Sequence, residues 1–154
     1  MAFAAASDLL TMRISNMLVL LVLVSFVLLA IVVGMPWQDV LTRVGLAAIV
    51  LVVAFAFFAF GWIGGSDAKL AAAITLWIDL GLMLPYYVYA ALLGGALTLI
   101  IIALRARPLP AAVLRIKWID RLHDPKQGVP YGVALAAAAL LVYSNTSIFQ
   151  HFMA

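Results

Sequence analysis

The chain has six acidic residues among 154, all of them Asp, and two stand in unusual company. Asp8 opens a polar stretch, Asp8-Leu-Leu-Thr-Met-Arg-Ile-Ser-Asn16, set between apolar runs. Asp67 lies in a glycine-rich turn, Gly61-Trp-Ile-Gly-Gly-Ser-Asp-Ala-Lys69, at the mouth of another apolar run. Ionisable groups at membrane depth are costly to keep, so they point to function. Two carboxyls in a site with little water resist double ionisation and share one proton. The ionised member can take a proton from water as that water attacks a peptide carbonyl. The protonated member can polarise the carbonyl oxygen and then serve the leaving amine. This chemistry needs no cofactor. There is no Cys, and His123 and His151 lack companions at ligand spacing, so no metal site is expected.

The elements that must position these acids follow from composition. Residues are 68% apolar and 10% charged, with a mean hydropathy of +1.24. Too little polar side chain remains to coat a water-facing surface, which excludes a soluble globular domain, a disordered tail and a nucleic-acid-binding module. Apolar stretches near the ~20 residues needed to cross a bilayer predict spans over 17–35, 44–63, 69–84, 86–104 and 131–150. Pro85, inside the apolar block Leu70–Leu104, predicts a hairpin turning near Leu84–Tyr86. The runs lack the period-2 alternation of a barrel. The expected fold is all-α: a polytopic membrane bundle of five transmembrane helices plus a short or truncated N-terminal first helix, forming one domain over 1–154. The seven residues ahead of Asp8 cover only ~10 Å as helix. They are not a signal peptide, and they read as a clipped first helix or as a start placed downstream of the true one.

Alternating the loops across the bilayer puts Arg13, Lys69 and six cations of 105–126 on one side, with only Arg43 on the other. By the positive-inside tendency the crowded side is the cytoplasm, and Asp8 and Asp67 fall at that edge. Asp79, about 18 Å along a helix from Asp67, belongs near the far interface, paired or hydrated.

With these motifs in place, the sequence resembles the prepilin peptidases of the type IV leader peptidase group, most closely the short branch serving Tad/Flp pili. Asp8, Thr11, Ile14, Ser15 and Asn16 match one family motif. Gly64-Gly65-Ser66-Asp67-Ala68-Lys69 and the following Leu-Ala-Ala match Gly-x-Gly-Asp-x-Lys, and Val129–Ala136 matches the start of the last helix. The family pattern has six spans. The resemblance implies an aspartic endopeptidase of the bacterial inner membrane, with Asp8 and Asp67 catalytic and Asn16, Gly64, Gly65, Ser66 and Lys69 binding substrate or supporting the acids. It implies a Flp-type prepilin substrate, cut just after a glycine at the cytoplasmic face, with membrane lipid and other pilus assembly proteins as partners and no nucleic acid. Larger relatives add a Cys-rich domain and a methylation activity, for which this chain has neither cysteines nor room.

Several positions read two ways. Lys69 either snorkels to the interface or tunes Asp67 and grips substrate. Asn16 either hydrogen-bonds near the acids or caps a helix. Ser66 stands where the motif has Gly, a change costing about 1 kcal/mol if the backbone there needs positive φ. Pro130-Tyr131-Gly132 reads as a helix start and packing device. The basic loop Arg105–Lys126 is expected to face anionic headgroups, with Trp118 at the interface. The competing functions are an inactive scaffold of a pilus machine and a proton-coupled transport subunit relaying through Asp8, Asp67 and Asp79. A transporter should place its acids near the midplane and often repeat its halves, and the sequence has neither feature.

Overall fold

The structure, a computed structural model, describes residues 1–110, 113, 115–125 and 127–153. Among these residues the chain is all-helical: α1 (Ala2–Thr11), α2 (Asn16–Val33), α3 (Trp37–Ala59), α4 (Gly65–Thr75), α5 (Leu80–Arg105), α6 (Lys117–His123), α7 (Tyr131–Tyr143) and α8 (Ser147–Met153). Three helices, α2, α3 and α5, are long and apolar enough to cross a membrane. Their outward faces carry exposed Leu, Val, Ile and Phe side chains, including Leu28, Val52 and Ile100. Such surface is tolerable only against lipid, and the chain is a multi-pass membrane protein.

Local chemistry sets the boundaries. Ser15 caps α2, its Oγ accepting from the Leu18 N–H at 3.2 Å. Gly34, at φ +65°, ends α2 in the left-handed conformation that glycine adopts without steric cost, and Pro36 leads into α3. Gly61, at φ +74°, turns the chain after α3 toward α4.

The predicted break at Leu84–Tyr86 falls instead at Leu76–Asp79, and α5 runs through Pro85. Pro85 lies within the first two turns of α5, so its missing N–H forfeits one bond near a helix end. The earlier break satisfies more polar groups. Arg43 Nη1 donates to the Leu76 carbonyl at 3.1 Å, and its Nη2 pairs with Asp79. Asp79 also accepts from the Ser147 backbone N–H at 2.6 Å and from Ser147 Oγ at 2.7 Å. Burial pushes the Asp79 carboxyl up, but the Ser147 bonds and the Arg43 charge outweigh it and hold it below the ordinary value. The expected far-interface acid is thus paired, in a clasp joining α3, the α4–α5 turn and α8.

The spans expected over 69–84 and 131–150 are shorter helices. α4 has 11 residues and α7 has 13, with α7 breaking at Ser144–Thr146 before α8. α4 is buried along almost its whole length. Walled by protein rather than lipid, its length need not match the bilayer. It packs against α3, α7 and α2, while α7 packs against α5, α1 and α4. Leu70, Ile74, Ile78, Tyr86, Ala138 and Val142 form the main core. The small side chains of α7 allow close approach to α5, where a Cβ on Gly94 would lie 3.2 Å from the Tyr131 ring.

Candidate functional site

Asp8 lies one turn from the end of α1, and Asp67 is the third residue of α4. Both stand outside the three spanning helices, yet they are only 2% and 5% exposed. They line one cleft of about 320 Å³, together with Met12, Trp62, Gln127 and Tyr131. Neither helix brings the other in. α7 packs on both, and Tyr131 at its start lines the same cleft.

The Gly132 N–H donates to Asp8 Oδ2 at 2.7 Å. Gly132 also bears on Asp67, whose carboxyl feels the Gly64 and Gly132 backbone donors. Free amides at a helix N-terminus favour negative charge, and this one is bonded to Asp8. Burial raises the Asp8 carboxyl to about 6, against the pull of the Gly132 and Val133 amides. Burial first, and then the Asp8 charge, raise Asp67 to about 7. Asp67 Oδ1 is buried with no hydrogen-bond partner. Both carboxyls are thus pushed toward the protonated form, Asp67 further than Asp8.

The glycines here provide space. A Cβ on Gly64 would stand 2.9 Å from Asp67 Oδ2, and one on Gly65 would meet the Phe58 ring at 3.2 Å. A Cβ on Gly132 would lie 2.7 Å from Asp8 Oδ2 and 2.7 Å from Ile14 Cδ1. Ser66 sits in the first turn of α4 and is not among the positive-φ residues, so the expected strain does not arise.

Two of the supporting residues lie apart from the acids. Lys69 Nζ donates to Asn16 Oδ1 at 3.1 Å, on the other face of α4 from Asp67. The cap of α2 is Ser15, and Asn16 is its first helical residue. The basic loop turns part of its charge inward. Arg105 donates to the carbonyls of Leu122, Gln127 and Gly128, and Arg121 donates to the Leu10 carbonyl at 2.6 Å. Lys126 lies outside the described residues. These bonds hold Gln127 and Gly128 at the cleft rim and fix the end of α1.

Pro130-Tyr131-Gly132 starts a helix and packs closely, as its sequence reads, and the structure adds that the Gly132 amide faces Asp8. The Val129-Pro-Tyr-Gly motif carried the signal, but one glycine in a helix start does not reveal what its amide faces.

Comparison with known proteins now bears on this geometry. The model of the Type IV leader peptidase family matches residues 1–99. The chain belongs to that family. Membership makes it peptidase-like, with prepilin-type proteins as the general class of substrate. The match covers both acid-bearing segments and ends within α5, short of Gly132. No curated protein and no solved structure matches the chain.

Proposed function

We propose that the chain, as one domain, is an aspartic endopeptidase that removes the leader of Tad/Flp-type prepilins at the cytoplasmic face of the bacterial inner membrane. The observation that carries this reading is the pair Asp8 and Asp67 buried in one cleft, with Asp8 held by the Gly132 amide. Asp8, ionised and oriented by Gly132, takes a proton from the attacking water. Asp67, protonated, polarises the scissile carbonyl and then protonates the leaving amine. The cytoplasmic placement rests on the loop charges, eight of nine cations on the acids' side. A proton relay is disfavoured because Asp79 is engaged by Arg43 and Ser147.

The test is incubation of the purified protein with a small Flp-type prepilin and mass determination of the product. A leader-sized loss ending at a glycine supports the reading, and an unchanged mass rejects it. The pH profile should be a bell. Activity falls below about pH 6 as Asp8 gains its proton, and above about pH 7 as Asp67 loses its own. A flat profile for kcat from pH 5 to 8 would contradict the shared proton.

Gly132→Ala should lower kcat/KM by roughly 10²-fold, because the new methyl displaces Asp8 by a fraction of its reach to substrate. Its helical circular dichroism should match the parent. Parental activity would remove Gly132 from the site.

A further inference from the structure

A second space opens off the acid cleft. Ile63, Asp67 and Tyr131 wall both. From there a crevice of about 470 Å³ runs between α3 and α5, passing Val53, Ala71, Ala91 and Ala134. α3 and α5 barely touch, and Val53 and Ala91 are exposed, so the crevice is open toward lipid. Its α3 wall, Ile49 to Phe57, is about 12 Å long, or two helical turns. The Tyr87 hydroxyl is bonded to Thr75 and the Tyr131 hydroxyl to Thr98. Asp67, 5% exposed, stands at the head of the crevice with Oδ1 unpartnered.

We infer that this crevice receives the apolar, membrane-embedded segment of the polypeptide substrate beside the bond to be cut, entering sideways between α3 and α5. The inference rests on the peptidase reading and adds where the substrate lies. Three observations select the occupant. Apolar walls call for apolar side chains, the gap between α3 and α5 gives access from the bilayer, and the unpartnered carboxyl oxygen calls for a hydrogen-bonding group. A polypeptide backbone carries both N–H and C=O groups, whereas a hydrocarbon chain has neither. Ala71, Ala91 and Ala134 are small and leave this stretch open, so a bulky side chain placed at 91 would fill it. The larger groove between α2 and α3, about 1050 Å³, is lined from α4 by Lys69, Ala72 and Ala73, with Leu76 just beyond it, and contains neither Asp8 nor Asp67.

The experiment compares two lipid-facing positions, Ala91 in the crevice and Leu41 in the larger groove. Ala91→Trp should lower kcat/KM on a Flp-type prepilin roughly tenfold or more, and Leu41→Trp should leave it unchanged. Because the chain lacks Cys, Ala91→Cys and Leu41→Cys each give a single thiol. In an Asp8→Asn background, oxidation with a prepilin carrying one Cys in its apolar segment should cross-link at position 91 and not at 41. Parental turnover by Ala91→Trp, or cross-linking at 41 alone, would overturn the inference while cleavage by the parent upholds the peptidase reading. Absence of cross-links at both positions, with parental turnover by both Trp variants, would assign the crevice to lipid. A parent that cuts no prepilin would remove the reading and the inference together.

Discussion

Asp8→Asn and Asp67→Asn, made singly, are each expected to lower leader removal by on the order of 10³-fold or more, and the double variant should be little worse than either. Two residues acting as one proton-sharing unit lose their function together. Stability should move the other way. Both carboxyls titrate above their ordinary value of 3.8 in the native chain, at about 6 and about 7. Below about pH 4 the native and unfolded chains are both protonated at these positions, and the pair imposes no penalty. As pH rises from about 4 to 7 the unfolded chain releases its protons first, so native stability falls. Asn cannot ionise and removes that loss. Each variant should therefore unfold in detergent at pH 7 at a temperature equal to or above that of the parent. A variant that loses both activity and thermal stability would make the acids structural.

The second large effect belongs to the opposite end of the bundle. Arg43→Met should destabilise the protein by about 3 kcal/mol, the low end for breaking a buried ion pair. The low end applies because the Asp79 side chain is 27% exposed and keeps both Ser147 bonds, whereas that of Arg43 is 9% exposed. The Leu76 carbonyl also loses its donor. Thermal unfolding in detergent should register the loss, and Arg43→Lys should recover only part of it, since one ammonium cannot reproduce the fork that reaches Leu76, Asp79 and Ser147. An unchanged midpoint for Arg43→Met would reduce the clasp to a surface contact.

Much of this was legible in the residues themselves. The long helices follow from uninterrupted apolar runs, because a backbone in lipid must satisfy its own hydrogen bonds. The placement of Asp8 and Asp67 at one end follows from counting spans. The α4–α5 break was misread because Pro85 is a local signal, whereas Arg43, Asp79 and Ser147 act across 104 positions of sequence. Lys69 and Asn16 each stay open to two readings in sequence, because helical rotation, which turns Lys69 away from Asp67 and onto Asn16, is not visible in a motif. Gly132 reads from sequence only as part of a helix start, because its further contribution is a backbone amide, which every residue but proline has. What singles it out is the lack of room for a side chain beside Asp8.

The two ends of the molecule treat charge in opposite ways. At Arg43 and Asp79, unlike charges are matched and bonded, whereas at Asp8 and Asp67 like groups are buried in one cleft. Selection for heat resistance alone would thus drift toward replacing the very aspartates that selection for turnover must preserve, and would leave the arginine untouched.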